Sequence, residues 1–259
     1  MVAVISGLYR YPVTGFSPEK LTAIDLLPGS TMPFDRAYAI ENGPSGFDPA
    51  APAYFPKNRF LMLMRNERIA RLKSSFDPVT TLWRIELDGE AVVEGRLDSA
   101  SDRAMIEAWI KLHFEPELRG EPKILDGRGH SFSDVATKVL HVVNLESVRE
   151  LERHVGKPVD PLRFRANIYV DGLPAWSELD WIGQTVSSSQ VTFKAVKRTE
   201  RCAATNVDPV TGERDLTIPR DLMQLYGHAD CGIYLEVTSA GQVSVGDALD
   251  LAQMGLAFG

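Results

Sequence analysis

The stretch VTFKAVKRTERCAATNVDPVTG, residues 191–212, joins an alternating, β-branched run to a thiol and then to a turn. Val191 to Val196 reads as a strand. A basic run, Lys194, Lys197, Arg198 and Arg201, leads into Cys202, and Val207-Asp208-Pro209-Val210-Thr211-Gly212 follows as a turn signal. A cysteine so placed is expected at an exposed strand edge in a positive field. Such a field favours the thiolate, the form that attacks electrophiles and binds metals. The alternative is a small buried apolar residue, the usual state of a free cysteine.

Working outward, most segments read as short strands. In the first half these are Val2 to Tyr9, Leu21 to Leu27, Asp35 to Ile40, Arg68 to Ser74, Thr81 to Leu87 and Ala91 to Gly95. Asp88-Gly89 is a hairpin signal between the last two. Phe60 to Met64 fits a helical turn or a buried strand equally. Glu41 to Pro56, rich in Gly, Pro and Ala, is expected to be a surface loop. Ser99 to Phe114 is the first clear helix, with Asp98 or Ser99 as its cap. Glu115 to Ser133 is poor in large apolar residues and reads as a connector between units spanning 1–120 and 121–259. Beyond it come strands at Val139 to Val143, Phe164 to Val170 and Cys231 to Thr238, and a hairpin-like pair at Gly241 to Leu251. Helices are expected at Leu145 to His154, capped by Asn144, and at Pro219 to Tyr226. Strands outnumber helices, so the expected class is mainly β (α+β): a β-barrel with a few packed helices and a β-rich N-terminal domain.

The 259 residues are 44% hydrophobic and 24% charged, enough for a large core. A net charge of -7 offers no basic field for nucleic acid or anionic lipid, so neither is expected as a partner. Two cysteines, no signal-peptide pattern and no membrane-length apolar run lead to the expectation of a cytoplasmic protein.

Several site patterns are missing. There is no GxGxxG after a strand, no GxxxxGK[ST] and no HExxH or CxxC spacing. Gly127-Arg128-Gly129-His130 is a weak phosphate-loop candidate without a fitting helix. His113 and His154 fall at helix ends, and His141, inside an apolar strand, reads as a core histidine. His130 and His228 lie in loops, where a triad with Cys202 and an aspartate is conceivable but nothing orients it. Arg163-Phe164-Arg165-Ala166-Asn167-Ile168, read as a strand, puts Arg163, Arg165 and Asn167 on one face. That polar ladder suits a phosphate or a fused heterocycle, or else is a solvent-facing row. Arg36 stands alone in an apolar strand.

These pieces, in this order, resemble the MOSC family, found at the C-terminus of molybdenum cofactor sulfurases and in mitochondrial amidoxime-reducing components. The matching residues are Tyr11-Pro12-Val13, Asp35-Arg36, the weaker Arg65-Asn66-Glu67, Phe132-Ser133-Asp134, Asn144-Leu145 and Arg163 to Ile168. Trp176 to Gly183, Arg201-Cys202, Val207 to Gly212, Gly232-Ile233-Tyr234 and Val245-Gly246-Asp247 complete the set.

The resemblance implies a MOSC-type barrel after an N-terminal β-barrel-like domain, and a role with the molybdenum cofactor. It casts Cys202 as the catalytic residue and protein ligand to molybdenum, or as the carrier of a sulfur atom. It gives Arg36, Arg163, Arg165, Asn167 and Arg201 to cofactor binding. It implies a molybdenum-dependent oxidoreductase, acting on small molecules such as N-hydroxylated compounds, with electrons from a separate protein. A sulfur carrier loading the cofactor from a separate donor is the alternative, and a non-catalytic barrel for another anionic ligand is a third. Pyridoxal phosphate binding is a family-level association, and no pyridoxal-phosphate lysine domain is expected ahead of the barrel in this chain. Trp181 and Glu178 are expected to pack the barrel, and Cys231 to be a packing residue. One departure stands out: the family's reductases carry Lys-Ser where this chain has Thr14-Gly15, so one cationic contact is missing.

Overall fold

Burial alternates along residues 191–195: Val191, Phe193 and Ala195 point inward, while Lys194 faces water. The same logic builds most of the molecule, whose computed structural model describes residues 2–127 and 129–251. In chain order the strands are β1 (Ala3–Arg10), β2 (Glu19–Leu21), β3 (Ala23–Leu26), β4 (Tyr38–Asn42), β5 (Lys73–Phe76), β6 (Leu82–Leu87), β7 (Glu90–Arg96) and β8 (Pro122–Asp126). They continue with β9 (Leu140–Asn144), β10 (Ile168–Asp171), β11 (Thr185–Ser188), β12 (Val191–Glu200), β13 (Asp230–Val237), β14 (Gly241–Ser244) and β15 (Ala248–Leu251). The helices are α1 (Ala100–Phe114), α2 (Leu145–Val155) and α3 (Ile218–Tyr226).

Seven strands close on themselves in the order β10-β9-β13-β12-β11-β15-β1, with β1 pairing back to β10 and β2 appended to β1. Closure leaves these seven without a free edge. The one parallel pair, β9 with β10, is bridged by α2, as a parallel pair requires. Ile5, Leu8, Val142, Ile168, Phe193, Ile233 and Leu235 fill the barrel, joined by Trp181. Beside it, α1 packs Ile106, Ile110 and Phe114 with Trp83 and Ile85 of the sheet β5-β6-β7. Ser99 caps α1 and Asn144 caps α2, as read from the sequence. The fold is α+β around a β-barrel.

The sheets do not divide at residue 120. β1 and β2 belong to the barrel, β3 pairs with β14, and β4 pairs with β8, which lies inside the expected connector. The last two strands are not a hairpin either, since β14 joins β3 while β15 joins β1 and β11. Residues Glu67–Arg71 form a 3-10 turn rather than a strand. Phe60 makes a β-bridge to Glu41 and the chain then turns. Arg128 of the glycine-rich segment lies outside the described residues. Among those described, no helix is long and apolar enough to cross a membrane.

Candidate functional site

Where β12 ends, a cleft opens between the barrel and the loops of the first half. Its walls include Thr14, Gly15, Arg36, Lys57, Phe132, Asp134, His141, Arg163, Arg165, Asn167, Arg201, Cys202 and Tyr234. The sequence-expected site residues are thus brought together from three separate segments.

Cys202 is half-buried and precedes a 3-10 turn, Ala203–Asn206, which fixes its backbone. Thr205 donates to the Cys202 carbonyl through both its N–H, at 3.1 Å, and its hydroxyl, at 2.9 Å. Cys231 is fully buried, both thiols are free, and burial pushes the Cys231 thiol far up. The expected strand edge is not there, because β12 lies between β11 and β13. Nor does the basic run supply the field. Lys194 donates to the Gly183 carbonyl, Arg198 to that of Leu179 at 3.2 Å, and Lys197 is exposed. Of that run, only Arg201 reaches the cleft.

Apart from Arg201, the cations of the cleft come from elsewhere. Arg36 and Arg165 are both held in the left-handed region, at φ 52° each. Their guanidiniums flank the Tyr11 ring, at 5.0 Å and 4.2 Å from its centre. Arg36 is tied to the Asp35 carboxylate and donates to the Arg165 carbonyl at 3.1 Å. Arg165 donates to the Phe16 carbonyl at 2.8 Å. Arg201 donates to the Phe164 carbonyl at 2.7 Å and to Nε2 of His141 at 3.2 Å. Since a guanidinium only donates, His141 is the acceptor there. Burial, with Arg201 and Arg36 nearby, holds His141 well below the ordinary histidine range and therefore neutral. Burial lowers Arg165 to about 10, with Arg36 adding to it, and the group stays charged at neutral pH. Burial raises the Tyr11 phenol to about 12 against the pull of Arg165 and Arg36.

Three buried donors in this wall have no partner among the described residues: Nε of Arg163, Nη2 of Arg165 and Nε of Arg201. A buried unpaired donor is costly, so such atoms mark where an acceptor-rich ligand would sit. Among the described residues no cluster of three or more His, Cys, Asp or Glu could hold a bare metal ion.

Two of the expected ligand residues line the cleft but have side-chain partners within the fold. Asp160 caps a 3-10 turn, Pro161–Phe164, and Arg165 follows in the left-handed region, so the strand begins only at Ile168. The polar ladder on one strand face does not exist. Arg163 turns instead to Asp208 at 3.0 Å and Asp215 at 2.8 Å, with its side chain 2% exposed, tying the turn after Cys202 to the barrel. Asn167 accepts from the His141 N–H at 3.0 Å and donates to the Tyr9 carbonyl at 3.2 Å, clamping β9 to β1.

Lys57 was missed. It sits in a Pro-flanked loop with no local signal, yet its Nζ lies 3.4 Å from Cys202 Sγ and 3.2 Å from the Asp134 carboxylate. Burial works against the charged amine, but Asp134 and Cys202 outweigh it and raise Lys57. Burial likewise pushes the Asp134 carboxyl up, while Lys57 and Arg36 hold it below the ordinary range.

A family model, the MOSC domain, matches residues 111–250. Mitochondrial amidoxime-reducing component 1 of Homo sapiens is 25% identical over 187 residues, 61% of this chain and 53% of that protein. Molybdenum cofactor sulfurase of Caenorhabditis briggsae is 37% identical over 76 residues, 29% of this chain and 10% of that protein. The chain spans about half the length of the first of these. Among solved structures, the YUAD protein from Bacillus subtilis aligns over 96% of this chain and 94% of its own, with a TM-score of 0.46 at 14% identity. YiiM from Geobacillus stearothermophilus aligns over 46% of this chain and 56% of its own, with a TM-score of 0.36 at 19% identity. With its model covering more than half of the residues, the chain belongs to the MOSC domain family.

Proposed function

We propose that the protein binds a molybdenum cofactor in the Cys202 cleft and serves as an oxidoreductase for small N-hydroxylated molecules. The observation that carries this reading is the convergence of a half-buried thiol with three guanidiniums, two of which keep an unpartnered buried donor. That donor set fits the group: a thiolate suits a soft metal centre, and guanidiniums suit phosphate and carbonyl oxygens. Arg36, Arg165 and Arg201 would hold the anionic and oxygen-bearing parts, and Cys202 would be the one protein ligand to the metal. Backbone carbonyls fix all three arginines, so the site is preorganised.

When bound, the cofactor supplies the two-electron redox chemistry. The net reaction takes an N–OH group, two electrons and two protons to N–H and water, with the electrons delivered by a separate electron-transfer protein. Relatives named for amidoxime reduction support this choice of substrate class. Protein purified from a cofactor-producing host is expected to contain molybdenum in near-equal ratio to the chain. Cys202→Ser is expected to abolish the reductase activity. Elemental analysis finding no molybdenum in the wild type overturns the proposal.

The match to a molybdenum cofactor sulfurase favours one second reading, in which Cys202 carries sulfur as a persulfide. Intact mass spectrometry distinguishes it, by a one-sulfur adduct lost in Cys202→Ser.

A further inference from the structure

Lys57 reaches the sulfur end of the cleft from outside the barrel. It opens a 3-10 turn, Lys57–Arg59, at the end of the segment 43–59. The two ends of that segment are tied together: Glu41 bridges Phe60, and the Leu61 N–H donates to the Ile40 carbonyl at 2.8 Å. Within it, Phe47 and Phe55 pack with Phe132 and Phe60, and the Tyr54 hydroxyl donates to the Asp134 carbonyl at 3.3 Å. The segment is therefore a strap of Ω-loop type with its own apolar anchor, and it contributes one ammonium to the cleft.

That ammonium is held differently from the other cations. Arg36, Arg165 and Arg201 are fixed to backbone carbonyls at the buried end. Lys57 Nζ bonds only to the Asp134 carboxylate and Cys202 Sγ among the described residues. The Lys57 side chain is 31% exposed and that of Asp134 56%, so their pair stands between the sulfur and water. An ion pair that exposed is weak and exchanges readily. An anion arriving from solvent meets Lys57 next to the thiol, and can displace Asp134 without breaking any contact of the barrel.

From this juxtaposition we infer that Lys57 is a specificity-determining residue, whose ammonium seats an anionic group of the substrate in the place the Asp134 carboxylate now occupies. The substrate class is then small molecules bearing a carboxylate or a comparable oxyanion beside the reacting group. The inference rests on the reading of the Cys202 cleft as the ligand site, and it does not depend on which metal the cofactor carries.

Alkylation of Cys202 by iodoacetate, an anion, and by iodoacetamide, its neutral counterpart of similar size, tests the seat directly. The full chain is prepared from a host that makes no molybdenum cofactor. Dividing the two rates cancels access and thiolate content and leaves the charge preference at the sulfur. Cys231, fully buried, does not compete, and peptide masses identify the labelled thiol. Lys57→Met is expected to lower the iodoacetate-to-iodoacetamide ratio roughly three- to tenfold. Lys57→Arg is expected to keep the ratio within about twofold, since the charge is retained. Asp134→Asn is expected to raise it by freeing the ammonium. An unchanged ratio in a folded Lys57→Met protein overturns the inference. Should that variant fail to fold, an unchanged or lower ratio in Asp134→Asn overturns it equally. Wild-type protein without molybdenum would defeat the cofactor proposal and leave this ratio untouched, so the two failures are distinguishable.

Discussion

Glu178 is fully buried, and its carboxylate accepts from Asn144 at 3.1 Å and from the Ser147 hydroxyl at 3.0 and 3.1 Å. Burial raises it above its ordinary value of 4.5, against the pull of those hydrogen bonds. A raised carboxyl binds its proton more tightly in the folded than in the unfolded chain. Its contribution therefore favours the fold below the unfolded value and is lost as pH rises through the folded one. Glu178→Gln removes this dependence. Between about pH 4 and about pH 8 the Tm difference between variant and wild type should shift in the variant's favour. Melting curves giving a pH-independent difference would dispose of the idea. At this scale the sequence is legible where a residue's neighbours in the chain decide its state. Cys231 and His141, on apolar strands, read as buried and are. Lys57 could not be read, because its bond to Cys202 spans 145 positions and nothing near Lys57 encodes it. Arg163 misled for the opposite reason: its local pattern alternates like a strand, but its partners lie 45 and 52 positions away.

Gly232 sits where β13 slips past β12, between the pairs Arg198–Ile233 and Glu200–Asp230. Its φ is +86°, and a Cβ there would collide with the Val142 carbonyl oxygen of β9 and crowd the His141 ring at 2.8 Å. Glycine is required by conformation and by space alike. Gly232→Ala should cost about 3–5 kcal/mol of stability, at the large end for a single substitution. Denaturant titration giving a loss below about 1 kcal/mol would contradict this. Elements with their own stop and start signals were readable: the Asp88-Gly89 turn between β6 and β7, the Ser99 cap and the Asn144 cap. The segment 161–167 was not, because its polar alternation reads as a strand. In the chain the Asp160 cap and the left-handed Arg165 prevail.

Barrel closure is a property of the whole molecule and has no local sign. Six of the seven staves come from residues 140–251, while the seventh, β1, comes from the first ten residues and pairs with both β10 and β15. The family match beginning at residue 111 leaves that stave outside. A fragment comprising residues 121–259 should therefore lack cooperative unfolding, its barrel open along two edges. A fragment melting as sharply as the full chain would show that β1 is dispensable. β1 also delivers Tyr11, just past its end, between Arg36 and Arg165, so one strand both seals the barrel and braces two of the cleft's arginines. The strap at 43–59 has the reverse relation to the fold. Since Glu41 and Phe60 are already joined, lengthening its outer part costs little, about 0.6 kcal/mol per doubling of the loop. The outer part of the strap, away from its Phe47 and Phe55 anchor and from Lys57, can thereby change length without disturbing the floor of the cleft. Descendants of this chain can exchange the part that greets incoming molecules by insertion or deletion, while the arginines beneath stay where the barrel holds them.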